Sequence, residues 1–110
     1  ARARTAAAAL TALMPRVKRP TGDDFWVLRR FGYTEAENPM HAVVCMAGSG
    51  AMMSEPFRCG ALEPTAEELL EGAARAARAA GFAPSMLATD SLAAMPGMQA
   101  ALREAGAAAG

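Results

Sequence analysis

The segment PTAEELLEGAARAARAAG, residues 64–81, decides the fold prediction because it describes a complete helix with a signal at each end. Thr65 and Glu68 have the spacing of a capping box, in which each side chain accepts a hydrogen bond from the backbone N–H of the other residue. Gly81 stands directly after the last alanine, where helices commonly end in the left-handed conformation. The segment therefore predicts a helix. Its predicted inner face consists of Ala66, Leu69, Leu70, Ala73, Ala77 and Ala80.

Three strands are predicted before this helix. Residues 25–33 are rich in aromatic and branched side chains, and residues 40–46 are largely apolar on both faces, as in the centre of a sheet. Gly48 and Gly50 supply the positive φ angles of a tight turn, after which residues 51–57 return as the partner strand. These segments predict three antiparallel strands in succession.

One further strand and one further helix are predicted after Gly81. Residues 84–89 have the composition of a short buried strand. Pro96 suits the first position of a helix that runs to about Ala105 and stops at Gly106. The order β-β-β-α-β-α predicts an α+β fold, in which a three-stranded antiparallel sheet is followed by α-β-α and the helices pack on the sheet. The predicted inner stripe of the last helix is Met98, Ala101, Leu102 and Ala105.

The domain prediction divides the chain into three parts. Residues 1–20 form a basic linker rich in alanine and arginine, or a short helix over residues 5–14. Residues 21–106 form a single α+β domain, and residues 107–110 are the remnant of a linker. A chain of 110 residues supports one modest core. We therefore expect one domain excerpted from a larger protein.

The charges of the chain cancel overall but are unevenly distributed. Residues 1–30 carry seven basic and two acidic residues, whereas residues 31–110 carry four basic and nine acidic residues. Such asymmetry can mark a basic segment that contacts nucleic acid or an acidic partner. In the alternative interpretation, the basic segment folds against the acidic part of its own chain. The candidate contact residues are Arg16, Lys18, Arg19, Arg29 and Arg30.

The two cysteines are not expected to form a disulfide. A hairpin that turns at residues 48–50 places Cys45 opposite Met53 and Cys59 opposite Pro39. Cys45 and Cys59 are then about 20 Å apart at the usual strand rise. A disulfide requires Cα atoms within about 7 Å of each other. Reduced cysteines are typical of an intracellular protein.

The sequence offers few residues for catalysis or metal binding. His41 is the only histidine, and two cysteines with one histidine fall short of the four ligands of a structural zinc site. A Ser-His-Asp or Cys-His set would need His41, which stands near the start of an apolar strand. Cys45 is expected to be a small core residue, with a role as thiol nucleophile as the alternative. We therefore predict no enzymatic activity and no cofactor.

Asp90 is the one residual candidate for an acidic site. The predicted element order resembles that of the ribonuclease H and integrase fold, in which acids on the first strand and after the fourth strand bind two metal ions. Asp90 falls at the second of these positions, but the earlier strands offer Cys45 or Arg29 where the first acid is needed. The resemblance therefore implies a site without catalysis. In the other interpretation Asp90 is the N-cap of the following helix.

Residues 20–106 also resemble an uncharacterised domain of bacterial proteins and of algal and fungal proteins with MYND-type zinc fingers. The resemblance rests on the hairpin at residues 42–50, the helix start at 64–70, the strand at 84–90 that ends in Asp90, and a last helix that closes at Gly106. It implies no activity and no catalytic residue. The cysteine spacing of the zinc finger does not occur in this sequence.

The functional prediction is a non-enzymatic accessory or protein-interaction domain of a larger intracellular protein. Its expected partner is another protein or another domain of the parent chain. The alternative is a catalytically dead ribonuclease-H-like domain that binds nucleic acid. No apolar run approaches the 18 residues or more that a membrane-spanning helix requires, so we expect no membrane partner.

Overall fold

The computed structural model describes residues 2–14, 24–35, 38–59 and 64–109. These residues form three helices and four strands, which confirms the predicted α+β class. None of the described helices has both the length and the apolar character needed to cross a bilayer. The helices are α1 (Arg2–Leu13), α2 (Ala66–Ala80) and α3 (Met95–Ala109), and the strands are β1 (Phe25–Glu35), β2 (Asn38–Ala47), β3 (Phe57–Cys59) and β4 (Met86–Thr89).

The described strands form a mixed sheet in the order β3-β2-β1-β4. Strands β1 and β2 pair antiparallel, with Trp26 opposite Ala47, whereas β4 joins the other edge of β1 in parallel, with Phe25 opposite Met86. The antiparallel pairing predicted for the first three strands is confirmed, but the complete sheet is mixed and not antiparallel. Helix α2 connects β3 to β4, and a crossover of this kind allows β4 to run in the same direction as β1.

The register of β3 differs from the prediction. The hairpin begins as expected with a bridge between Met46 and Met52, but Phe57 then lies opposite Val43, because two extra residues separate the paired segments on the β3 side. Pro56 has no N–H to donate to β2, so the ladder resumes only at Phe57. As a result Cys59 lies opposite His41 and not opposite Pro39.

Both ends of α2 have the predicted geometry. The Thr65 hydroxyl accepts the Glu68 N–H at 3.2 Å, and the Glu68 carboxylate accepts the Thr65 N–H at 3.1 Å. Gly81 ends the helix with φ 85° and donates its N–H to the Ala77 carbonyl. The buried surface of α2 is wider than predicted because α2 packs against the sheet on one side and against α1 on the other. Gly72, Ala74 and Ala76 are buried in addition to the predicted leucines and alanines, whereas Ala80 is exposed.

Helix α1 covers α2 and α3. Ala6, Ala7 and Leu10 are buried in the same core cluster as the residues of α2. Ion pairs accompany this contact, from Arg2 to Glu71 at 2.6 Å and to Glu67 at 3.6 Å, and from Arg4 to Glu104 at 3.1 Å. At Arg2 and Arg4, therefore, the basic segment folds against the acidic part of its own chain.

Helix α3 is longer than predicted. It begins at Met95, one residue before Pro96, and continues past Gly106 to Ala109. The predicted stop at Gly106 is wrong because the alanines that follow are strong helix formers, which offset the cost of about 1 kcal/mol for an internal glycine. Of the predicted inner stripe, Met98, Ala101 and Ala105 are buried and Leu102 is half-buried.

The inner face of the sheet, which packs on the helices, carries the largest core residues. Trp26 is fully buried, and its ring meets Phe82 edge-on with centroids 5.5 Å apart. Phe57 points at α2, where a Cβ atom on Gly72 would overlap the tip of the Phe57 ring. Gly72 therefore allows β3 and α2 to approach closely. The inner face consists of Trp26, Leu28, Val43, Cys45 and Ala47.

Candidate functional site

Asp90 lies where β4 ends, beside the middle of β1. Both carboxylate oxygens of Asp90 accept the backbone N–H of Arg30, each at 3.1 Å. The Arg30 Nε lies 3.9 Å from Asp90 Oδ1, so the side chains of the two residues also form an ion pair. The Asp90 carboxylate thus holds the end of β4 against β1.

A second aspartate holds the other end of the same strand pair. Asp24 is buried directly before β1, and its carboxylate accepts the backbone N–H and the hydroxyl of Ser85, directly before β4. The Asp24 carbonyl also accepts the N–H of Met86 at 3.1 Å. Asp24 and Asp90 therefore fix the parallel pairing of β1 and β4 at its two ends.

The prediction that Asp90 caps the following helix is wrong. Helix α3 begins at Met95, and a turn over residues 92–94 separates it from Asp90. The Asp90 N–H donates to the Leu28 carbonyl at 3.4 Å and so extends the sheet by one residue beyond β4. Asp90 is therefore hydrogen-bonded to β1 through both its backbone and its side chain.

The surroundings of Asp90 do not resemble a metal centre. Within the described residues, no three histidine, cysteine, aspartate or glutamate side chains are grouped so that they could hold a metal ion. Arg30 lies beside Asp90, and a guanidinium repels a cation that a second carboxylate would attract. In the part of the chain that the structure describes, Asp90 has a structural position without the partners of two-metal chemistry.

Ser91 is a polar residue of this region that the sequence did not single out. It is 1% exposed, and its Oγ atom has no hydrogen-bond partner among the described residues. Its backbone N–H donates to the Thr89 hydroxyl at 3.1 Å, which fixes the turn after β4. No local pattern distinguishes Ser91 from a surface serine, since its burial results from the packing around the turn.

We expect Asp90→Ala to lower the free energy of unfolding by about 1 kcal/mol, because it removes the charged acceptor of the Arg30 N–H at a half-exposed position. Urea unfolding followed by circular dichroism measures this change. Glu104→Ala is the matched control, since it removes an exposed carboxylate whose ion pair joins two helices. A neutral effect of Asp90→Ala would show that the carboxylate does not hold β4.

The predicted basic contact residues are not brought together within the described residues. Arg29 and Arg30 are neighbours on β1 and therefore point to opposite faces of the sheet. Arg29 is exposed, whereas Arg30 is half-buried and paired with Asp90. Arg16, Lys18 and Arg19 lie outside the described residues.

The sheet has a second apolar surface, which we call the outer face. Its residues alternate along β1, β2 and β4 with those of the inner face, and none of its apolar residues belongs to the core cluster. Val44 at its centre is fully buried, whereas Met86 is 62% exposed and Met52, bridged to Met46, is 57% exposed. The apolar character of residues 40–46 on both faces was the sequence signal for this surface. The outer face consists of Phe25, Val27, Arg29, Val44, Met46, Met86 and Ala88.

Cys45 has the environment of a core residue. Its thiol is free and its side chain is fully buried on the inner face. Burial raises the pKa of the Cys45 thiol to about 12. The thiol is therefore protonated at neutral pH, which makes Cys45 a poor nucleophile.

We expect Cys45 to react slowly with a thiol reagent in the folded protein. In a Cys59→Ser background at pH ~8, modification by dithionitrobenzoate should be at least about 100-fold slower than in unfolding concentrations of urea, because the thiolate fraction is small and access is blocked. Absorbance at the thionitrobenzoate band follows the reaction. Rapid modification without urea would show that Cys45 is an accessible thiolate.

Comparisons with protein-family models, with curated proteins and with solved structures found no significant match to this chain. The arrangement of its own residues is therefore the basis of the functional proposals.

Proposed function

We propose that the chain is a non-enzymatic protein-interaction domain, an accessory module of a larger intracellular protein, and that it binds its partner through the outer face. The observation that carries this proposal is the set of apolar side chains on the outer face, which lies apart from the core cluster and includes the exposed Met86. Contiguous apolar patches on a protein surface are typical of protein–protein contact sites.

The composition of the outer face suits a protein partner. Met46 and Met86 are unbranched and polarizable, so they adapt to the shape of an apposed surface. Phe25 and Val27 are half-buried and supply more rigid contact area beside them. Arg29 is the only charged residue among the described members of this face, so we expect the partner to place a carboxylate opposite it.

The absence of enzymatic activity is part of the proposal and has separate support. Burial keeps the Cys45 thiol protonated, and the Asp90 carboxylate binds the backbone of β1. Cys45 and Asp90, two of the groups that the sequence offered for chemistry, thus have structural roles. This argues for a scaffold whose function lies in its surface.

Site-specific photo-crosslinking tests this proposal. A benzophenone amino acid at position 86 should crosslink one defined protein in cells that produce the parent protein, and the same group at exposed position 100 on α3 should not. With that protein purified, Met86→Glu should weaken binding at least about 10-fold, since it buries a charge at the interface. Met14→Glu is the matched control because Met14 is an exposed methionine outside the outer face, directly after α1.

Two outcomes would contradict this proposal. Crosslinking from position 86 that does not exceed crosslinking from position 100 would show that the outer face has no specific partner. Equal weakening by Met86→Glu and Met14→Glu would show that the effect comes from added charge and not from the loss of the outer face.

The second candidate is a catalytically dead, ribonuclease-H-like domain that binds nucleic acid. The observation that favours it is the strand order β3-β2-β1-β4, with β4 parallel to β1 and Asp90 directly after β4. Arg30, and not Cys45 or Arg29, lies beside Asp90 and would then stand where that fold has a metal-binding acid. The proposed contacts are Arg16, Lys18, Arg19, Arg29 and Arg30.

This candidate makes a prediction that the first does not. Binding to single- or double-stranded nucleic acid should weaken steeply as the salt concentration rises, and Arg29→Glu should weaken it further. A gel-shift assay at low salt measures the binding. The lack of any shift at low salt would leave protein interaction as the function.

A further inference from the structure

A surface cavity of about 640 Å³ lies between α1 and α2. Its volume falls in the range of small-molecule binding sites in proteins. The cavity is on the helical side of the molecule and shares no residue with the outer face. It is lined by Arg2, Thr5, Ala6, Glu71, Ala74, Arg75 and Arg78.

The charges of this cavity do not balance. Three arginines and one glutamate line it, and the Glu71 carboxylate lies 2.6 Å from the Arg2 Nε. Arg2 also lies 3.6 Å from Glu67, so its charge is neutralised by acidic residues of α2. With Glu67 and Glu71 counted against the three arginines, the cavity wall keeps an excess of one positive charge, at Arg75 and Arg78 on α2.

Arg75 and Arg78 are both exposed to solvent on α2. Arg78 is exposed and forms no ion pair with any described residue. Arg75 is exposed and rests over the Phe57 ring, with its guanidinium carbon 5.3 Å from the ring centroid. The stacking of Arg75 limits the freedom of its side chain, which reduces the entropy that binding would cost.

The spacing of these two arginines suits a doubly charged oxyanion. Residues three apart lie on the same side of a helix, with Cβ atoms about 5–6 Å apart. Each planar guanidinium can donate two parallel hydrogen bonds to a phosphate group. Ala6 and Ala74 are buried and add small apolar side chains to the lining of the same cavity.

We propose that the α1–α2 cavity binds a phosphorylated small molecule, whose phosphate is held by Arg75 and Arg78. The cavity is several times larger than a phosphate ion, so the ligand carries a further group, which contacts Ala6 and Ala74. This site is independent of the protein-interaction function proposed above, since it lies on different elements.

Titration with phenyl phosphate tests the proposal, since this probe combines a phosphate dianion with an apolar group. At low ionic strength, calorimetry or amide chemical shifts should show saturable 1:1 binding with a Kd on the order of 1 mM. Arg75→Ala and Arg78→Ala should each weaken binding at least about 5-fold, because each removes a charge-assisted contact. Inorganic phosphate should bind more weakly than phenyl phosphate.

Arg103→Ala is the matched control because Arg103 is an exposed arginine on α3 and its loss changes the net charge equally. Binding by this variant should remain within about 2-fold of the original protein, since distant surface charges are screened. Arg78→Lys preserves the charge and the helix but cannot donate two parallel hydrogen bonds. It therefore tests the contribution of the bidentate contact alone. Non-saturating titrations, or equal weakening by Arg103→Ala and Arg78→Ala, would overturn the proposal.

Discussion

Gly72→Ala is expected to lower the free energy of unfolding by about 1–2 kcal/mol, although the same change stabilises an ordinary helix interior by about 1 kcal/mol. A Cβ atom at this position would overlap the Phe57 Cζ and lie within 2.7 Å of both adjacent ring carbons. The ring must therefore move away from α2. That movement would also separate Phe57 from the Arg75 guanidinium.

A double-mutant cycle makes this prediction specific to the contact. In a Phe57→Ala background the obstruction is gone, so Gly72→Ala should become stabilising by about 1 kcal/mol through helix propensity alone. Chemical denaturation of the four proteins gives the coupling energy. If Gly72→Ala has the same sign in both backgrounds, the close approach of Phe57 and Gly72 does not determine the effect.

Trp26→Ala is expected to lower the free energy of unfolding by about 3–5 kcal/mol, which is the largest effect of these substitutions. Trp26 is fully buried on the inner face and contacts Phe82 edge-on. The free energy of unfolding of a small domain is only about 5–15 kcal/mol, so the substitution removes much of the stability of the fold. We expect the variant to unfold at markedly lower urea concentration or to lack a cooperative transition.

Phe25→Ala is the matched control for Trp26→Ala. Phe25 is the preceding residue on β1 but belongs to the outer face and is half-buried. Its replacement by alanine should lower the free energy of unfolding by about 1 kcal/mol or less, since little core packing is lost. Because Trp26 is the only tryptophan, unfolding is followed by far-ultraviolet circular dichroism. Similar losses in the two variants would contradict the assignment of inner and outer faces.

The parts of the fold that the sequence predicted well depend on residues close together in the chain. Thr65, Glu68 and Gly81 define the ends of α2 through contacts within one helical turn, and all three have the predicted roles. The bridge between Met46 and Met52 also follows from a local turn. Such signals can be read directly because the interacting groups are only a few residues apart.

The parts that were missed depend on distant residues. The partner of Asp90 is the N–H of Arg30, sixty positions earlier, and this contact exists only because β4 pairs in parallel with β1. Likewise, the wide buried surface of α2 depends on α1, whose sequence consists largely of alanine and carries a weak amphipathic signal. A helical sequence pattern shows which face of a helix is apolar, but it does not show which other element packs against that face.

The position of α1 has a consequence for how the chain folds. Arg4 and Glu104 form an ion pair although one hundred positions separate them. This contact between α1 and α3 can form only after α3 has been synthesised. Native contacts of such long range slow folding, because the entropy of closing the intervening chain is lost before the contact is gained. Until α3 emerges, the apolar stripe of Ala6, Ala7 and Leu10 lacks part of its cover. Uncovered apolar surface of this kind makes a nascent chain more prone to aggregation until α3 has formed.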